Sequence, residues 1–452
     1  MSEIKNKGWV VTFAGMGINL ALGILYAWSI FKSAIEKSIQ AGGEGAFNWD
    51  LVKLNDPYSV CCLVFAFSMI IAGKSQDKLG PRITAFIGGI LVGAGLLLIS
   101  QTTDYVSWVI GFGVLVGAGL GFGYSSATPP ALKWFPAAKT GLIAGLVVSG
   151  FGLASVYIAP LGEFLLKNFG INQSMMVFGI SFIVVVCGLS LFLVDPPAGY
   201  VPAASPAQQL KSNAYKNNYT PTEMMKTSAF WMMWLIYFIG AGSGLMVIGS
   251  VAGMAKSSLG EAAFVAVAIM AIGNAAGRIV AGLASDKLGR KETLIILMIF
   301  QAVLMLAAIS LVGTENVSPV LIVLLATFIG FNYGSNLSLF PSITKDYFGL
   351  KSFGINYGFV FTAWGVGGFV MSRMSQMIKT TTGSFNSAFI LAAILLLIGA
   401  VLSLTLKDPK AVTVPEGAIF EPELGLTMAD GGEKIDKKSG KVCSEGEKTE
   451  KK

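Results

Sequence analysis

The chain has 452 residues, of which 54% are hydrophobic and only 13% charged, with a mean hydropathy of +0.69. A soluble domain carries about 25% charged residues, so a single water-exposed globule is excluded and a lipid bilayer is the implied surrounding. The absence of histidine excludes a His proton relay or His-ligated metal; the net charge is +7, and the basic residues sit in short loops and a tail, which argues for membrane orientation and against a nucleic-acid partner.

Lys5 and Lys7 precede an apolar stretch from Trp9 to Phe31 that lacks a small-residue cleavage site, so it reads as an uncleaved first span. Hydropathy places spans at 9–32, 57–74, 82–100, 106–129, 140–166 and 172–194, then at 228–253, 262–285, 291–313, 318–340, 352–378 and 384–406. Each run is long enough to cross about 30 Å of hydrocarbon as a helix. The expected fold is an all-α membrane protein of twelve transmembrane helices in two six-helix bundles, 1–194 and 228–407. Between them, 195–227 opens on Asp195-Pro196-Pro197 and reads as a flexible linker. The segment 408–452 is rich in Gly, Glu and Lys and reads as a disordered tail. Twelve spans put both termini on one side. That side carries most of the loop Lys and Arg, which makes termini, linker and tail cytoplasmic and the segment 33–56 outward, in a plasma membrane.

The halves repeat each other. Gly73-Lys74-Ser75-Gln76-Asp77-Lys78-Leu79-Gly80-Pro81-Arg82 follows span 2, and Gly282-Leu283-Ala284-Ser285-Asp286-Lys287-Leu288-Gly289-Arg290 follows span 8, with Asp77 and Asp286 209 residues apart. Gly121-Phe122-Gly123-Tyr124 in span 4 matches Gly330-Phe331-Asn332-Tyr333 in span 10 at the same offset. Repeated six-span halves are the build of carriers whose site lies between the halves near the midplane. The glycines of spans 4 and 5 read as close-packing positions. No strand precedes them and no Gly-Lys-Ser/Thr follows, so a nucleotide-driven pump is disfavoured. Cys61, Cys62, Cys187 and Cys443 have no disulfide or zinc spacing, and no catalytic constellation is present. The chain is not expected to be an enzyme, and no cofactor, metal or protein partner is implied.

Arg278 lies in span 8, about 12 Å along the helix from Asp286 at ~1.5 Å per residue. An Arg at that depth costs roughly 2.5–3.5 kcal/mol even on the mild insertion scale, so it is expected to face a cavity or a partner. None of the 25 Asp and Glu lies near the middle of a span; Glu163, in the last turn of span 5, comes nearest. An unpaired guanidinium suits a carboxylate, though snorkelling or a bond to backbone carbonyls would also hold it. Asn274, one turn earlier, shares its face. Tyr26, Trp28, Tyr124, Phe331, Tyr333 and Trp364 are candidates to line the same site, with ordinary helix packing the competing reading for each.

At Asp77-Lys78-Leu79-Gly80-Pro81-Arg82 the chain resembles the major facilitator superfamily over about residues 8–407. The resemblance implies gating roles for Asp77, Arg82, Asp286 and Arg290; a positive-inside turn with a capping Asp is the plainer reading. Tyr26-Ala27-Trp28, Lys133-Trp134-Phe135-Pro136 and Asn356-Tyr357-Gly358-Phe359 resemble the monocarboxylate transporter and oxalate:formate antiporter group, nearest to the bacterial lactate-transporting homologues. That resemblance implies a substrate-binding Arg in span 8 and transport of a small monocarboxylate, lactate or pyruvate, with a proton; exchange of the oxalate:formate kind is the alternative, and a membrane sensor or channel a further one. Where mammalian carriers have an Asp paired with this Arg, Asn274 stands here, which leaves the proton site open. Where the oxalate:formate pattern N-Y-G-F-x-x-x-A-K has a Lys, Trp364 stands here, which favours a monoanion over a dianion.

Overall fold

The computed structural model describes residues 6–135, 140–197, 200, 218–312, 317–349, 352–407 and 409, with strand segments at 419–421, 426–428, 434–436 and 442–443. Among them are eleven helices long and apolar enough to cross a membrane. Spans 1 to 4 are Gly8–Ala41, Leu51–Gln76, Lys78–Ile99 and Tyr105–Lys133. Ile143–Ser190 is a 48-residue helix broken at Gly170, where φ is 75°; it supplies spans 5 and 6, and so twelve crossings. Spans 7 to 12 are Ser228–Ile248, Gly260–Ser285, Arg290–Leu311, Pro319–Phe348, Phe353–Thr382 and Asn386–Thr405.

Local chemistry sets the ends of these spans. Asp104 caps span 4 by accepting from the Ser107 N–H at 2.8 Å, and Thr227 caps span 7 through the Phe230 N–H at 3.2 Å, each satisfying a donor the first turn leaves open. The two repeated motifs turn on Gly80 and Gly289, with φ of 81° and 102°. Only glycine adopts that region freely, and Pro81 and Arg290 then restart the helix. These two glycines are 209 residues apart, the offset of the sequence repeat.

Span 1 runs beyond its expected end, through a 3-10 stretch at Gly23–Ala27 and on as α-helix to Ala41. Leu51–Asn55 is also helical. The outward segment expected at 33–56 is therefore shorter, and Lys32 is buried inside the bundle.

Ile71, Phe86, Val184, Ile296, Val320 and Val401 are exposed on the outside; in a bilayer these positions meet acyl chains, while backbone polar groups are satisfied within the helices. Span 11 packs along span 2, and span 8 along span 5. Advancing each number by six turns the first pair into the second, so the packing repeats with the sequence. Span 4 and 5 glycines serve close approach: a Cβ at Gly119 would lie 2.7 Å from the Gly88 carbonyl, and one at Gly150 2.3 Å from the Met16 carbonyl, whereas Gly145 meets nothing within 4 Å.

The halves are joined on the face away from the termini, here called the far face. Lys32 Nζ donates to Ser250 Oγ at 2.7 Å and to Gln376 Oε1 at 3.2 Å. Asp56 faces Arg373 at 3.4 Å, and Glu36 faces Lys379 at 3.4 Å. Gln376 Nε2 donates to the Leu51 carbonyl at 2.9 Å, and the Tyr58 hydroxyl to the Leu245 carbonyl at 3.1 Å.

The chain divides into two compact units, Met1–Asp408 and Pro409–Lys452. Where 408–452 is described, it holds four short strands, β1 Ile419–Glu421, β2 Leu426–Met428, β3 Lys434–Asp436 and β4 Val442–Cys443, paired antiparallel in sequence order. Ile, Phe, Thr and Val in these short runs are strand formers. The remainder of the tail lies outside the described residues.

Candidate functional site

Arg278 sits in span 8 at the junction of the halves and is 5% exposed. Its Nε donates to Asn274 Oδ1 at 3.1 Å. Its Nη1 donates to the Val148 carbonyl of span 5 at 2.7 Å. Nη2 is buried and makes no hydrogen bond of ordinary geometry among the described residues, with the Tyr124 hydroxyl the side-chain group placed to interact with the guanidinium. Asn274, on the same face as Arg278, thus orients the guanidinium, and the backbone bond that competes with an anion as the explanation of Arg278 is present too. Neither accounts for Nη2. A buried, unsatisfied donor costs about 1–3 kcal/mol, more when charged.

Two glycines make room for this arrangement. A Cβ at Gly334 would lie 2.0 Å from the Asn274 carbonyl and 2.7 Å from its Oδ1. A Cβ at Gly152 would lie 3.4 Å from Arg278 Nε and 3.6 Å from Nη2, so the bare backbone of span 5 forms one wall beside the unsatisfied donor.

Tyr26, Tyr124 and Tyr333 are electrostatic neighbours of the guanidinium. The Tyr26 and Tyr333 hydroxyls are 2.6 Å apart, joining spans 1 and 10, and Trp364 Nε1 donates to the Tyr333 hydroxyl at 2.8 Å. Trp364 stacks on Phe361 with centroids 4.8 Å apart and meets Phe65 edge-on at 5.1 Å. Phe151 packs edge-on against both Tyr26, at 5.0 Å, and Tyr124, at 5.4 Å. The result is an aromatic enclosure around one cation, built from spans 1, 2, 4, 5, 10 and 11.

The structure therefore gathers Arg278, Asn274, Tyr26, Tyr124, Tyr333 and Trp364. It does not gather Trp28, which donates to Asn55 Oδ1 at 3.2 Å and packs on Phe112 at 4.6 Å. Residues two apart on a helix do not face each other, so Trp28 cannot share the face of Tyr26. Phe331 stands in the same relation to Tyr333; its side chain packs, partly buried, against the hydrophobic core, and its carbonyl takes the Ser335 hydroxyl at 2.8 Å and lies against Gly277. Sequence reasoning missed the Val148 carbonyl, Phe65, Phe151, Gly152 and Phe361. Phe151-Gly152 lay within the glycine-rich stretch of span 5, and Phe361 two residues past Asn356-Tyr357-Gly358-Phe359, so both carried a weak signal; a backbone carbonyl carries none.

Of the residues expected to gate, the side chains of Asp77 and Asp286 lie outside the described residues, and Arg82 is exposed. Arg290 donates to Asp346 at 3.0 Å and to the Ser285 hydroxyl. These described bonds stay within the second half and do not cross to the first.

A buried site at the seam of two repeated six-helix halves is the build of a membrane transporter. The Major Facilitator Superfamily model matches residues 8–372 and 233–425, and the chain belongs to that family. It is 28% identical to the uncharacterized MFS-type transporter YhjX of Escherichia coli, over 81% of this chain and 87% of that one. It is 26% identical to the oxalate:formate antiporter of Oxalobacter formigenes, over 86% and 89% of the two chains. With monocarboxylate transporter 13 of Rattus norvegicus it shares 25% identity over 90% of each chain.

Proposed function

We propose that this protein carries a small monocarboxylate of the lactate and pyruvate class across the plasma membrane together with a proton, by alternating access between its two halves. Arg278 Nη2 carries the reading: a buried cationic donor that makes no hydrogen bond of ordinary geometry among the described residues, at the seam where a carrier holds its substrate. A carboxylate supplies the missing acceptor and the missing negative charge. The aromatic rings around it suit the short apolar end of such an acid. Names of relatives at 25–26% identity, a monocarboxylate transporter and an oxalate:formate antiporter, agree with an organic-anion cargo.

Uptake of labelled lactate, pyruvate, formate and oxalate into proteoliposomes, with and without an imposed pH gradient, tests the proposal. Saturable lactate or pyruvate uptake that rises when the outside is acidified is the expected result. Uptake that ignores the gradient but needs a carboxylate inside replaces symport with exchange. Arg278→Gln should weaken binding by about 2–5 kcal/mol, the usual effect of removing one side of a buried charge pair.

A further inference from the structure

Trp28 belongs to the Tyr26-Ala27-Trp28 motif, yet the site around Arg278 makes no use of it. The 3-10 stretch Gly23–Ala27 ends just before it. Three residues per turn there, in place of 3.6, change the direction in which the next side chains leave span 1. Trp28 is fully buried, and its indole N–H donates to Asn55 Oδ1 at 3.2 Å.

Asn55 is the N-cap residue of the α-helix that begins at Asp56, and its side chain makes no capping bond there, although Asn is a favoured cap. The amide is committed elsewhere. Its Nδ2 donates to Ser250 Oγ at 3.4 Å and to the Ser372 carbonyl at 3.3 Å. Ser250 and Ser372 lie in the second half, so one fully buried amide makes two bonds over the seam. An indole N–H can only donate and a carbonyl can only accept. Both ends of the Asn55 amide are therefore fixed by chemistry: turned over, it would set its oxygen against the Ser372 carbonyl and its NH2 against the Trp28 N–H. The seam bonds are long for N–H···O bonds, so a small swing of the amide gives them up.

We propose that Trp28 is a positioning residue of a far-face latch: its N–H holds the Asn55 amide in the one orientation that bonds Ser250 and Ser372, and the halves part on that face only when those bonds are released. This rests on the alternating-access reading above and adds to it a pair of residues that sets how readily the far face opens.

Pulsed electron–electron distance measurement on the full-length protein tests this, with spin labels at Lys167→Cys and Glu261→Cys and with Cys61, Cys62, Cys187 and Cys443 replaced by Ser. The native Lys167 and Glu261 side chains are exposed and meet at 3.6 Å across the seam. A short label distance should dominate, and a second, longer one reports parted halves. Trp28→Phe keeps a ring against Phe112 and removes the N–H; it should raise the odds of the longer distance about fivefold, the size of one net hydrogen bond. Asn55→Leu keeps the volume and removes the amide, and should raise the odds at least as far. The double variant should gain nothing beyond Asn55→Leu, because Trp28 acts through the amide. Independent packing effects would multiply instead, and that product overturns the positioning role, as does an unchanged ratio in Trp28→Phe. Should Trp28→Phe not fold, Asn55→Leu decides, since wild-type odds in that variant overturn the latch. Wild-type odds with both distances present overturn the latch alone; a single distance in every variant overturns alternating access with it.

Discussion

At the scale of single residues, Gly152 yields a sharp expectation because its missing side chain borders the guanidinium. Gly152→Ala places a methyl at ordinary contact distance, 3.4 Å from Nε, and should be tolerated. Gly152→Val should cover Nη2 and reduce lactate or pyruvate affinity about as far as Arg278→Gln does, while leaving the folded protein intact; titration of both variants checks this. Charge counting gives a second expectation. Lys32, the other buried cation among the described residues, belongs to the far-face contacts with Ser250 and Gln376, so a dianion at Arg278 would keep one carboxylate unpaired at a cost of several kcal/mol. Oxalate should therefore bind poorly to wild type, and tight oxalate binding in a calorimeter would overturn the argument. Trp364, which occupies the position of the second cation in the oxalate:formate pattern, proves to be hydrogen-bonded to Tyr333 and stacked on Phe361. Arg278 and Asn274 were legible in sequence because a charge deep in an apolar span has few explanations. Trp28 was misread because adjacency in a motif says nothing about the face a side chain takes on a helix.

At the scale of elements, most spans are plain from hydropathy alone, since twenty apolar residues leave little choice. The ends are harder, because a polar final turn packed inside the bundle has the same composition as a loop. Span 1 shows this: Lys32 marked the expected boundary, yet the helix continues two turns further and the lysine is buried. The far-face seal that results leads to an accessibility test. Cys62 is fully buried in span 2, and a Cβ at Gly368 of span 11 would lie 3.2 Å from its sulfur, so a thiol reagent reaches it only when the halves part. Asp56→Asn removes the contact with the half-exposed Arg373, worth about 1 kcal/mol for such a pair. With Cys61, Cys187 and Cys443 replaced by Ser, maleimide labelling of Cys62 should be slow and should accelerate about fivefold in Asp56→Asn, as 1 kcal/mol dictates; equal rates would remove Asp56 from the seal. For the opposite face, where Asp77 was expected to gate, Asp77→Asn should alter transport rate while leaving substrate affinity unchanged. A loss of affinity alone would exclude a gating role.

At the scale of the whole molecule, the 209-residue offset foretold two related halves, and it reappears in the Gly80 and Gly289 turns and in the reciprocal packing of spans 2 with 11 and 5 with 8. The order of contacts across the seam was not legible, because it depends on rotations of each helix that composition does not encode. The proposed orientation can be checked with a protease-cleavable tag at each terminus: both should be cut in inverted vesicles and neither in intact cells. The bond from Arg278 to the Val148 carbonyl has a wider consequence. Like the Lys32–Ser250 and Asp56–Arg373 contacts, it is made by the chain with itself, so the halves can hold together across the seam without cargo to bridge them. A ligand shifts a conformational equilibrium only through its differential affinity for the two states, and a molecule whose own bonds already favour closure can make the return journey unladen. Flow should then run one way and downhill: vesicles loaded with lactate should empty into medium that contains no acid at all, and an absolute need for a counter-travelling anion would show that the unladen journey is barred.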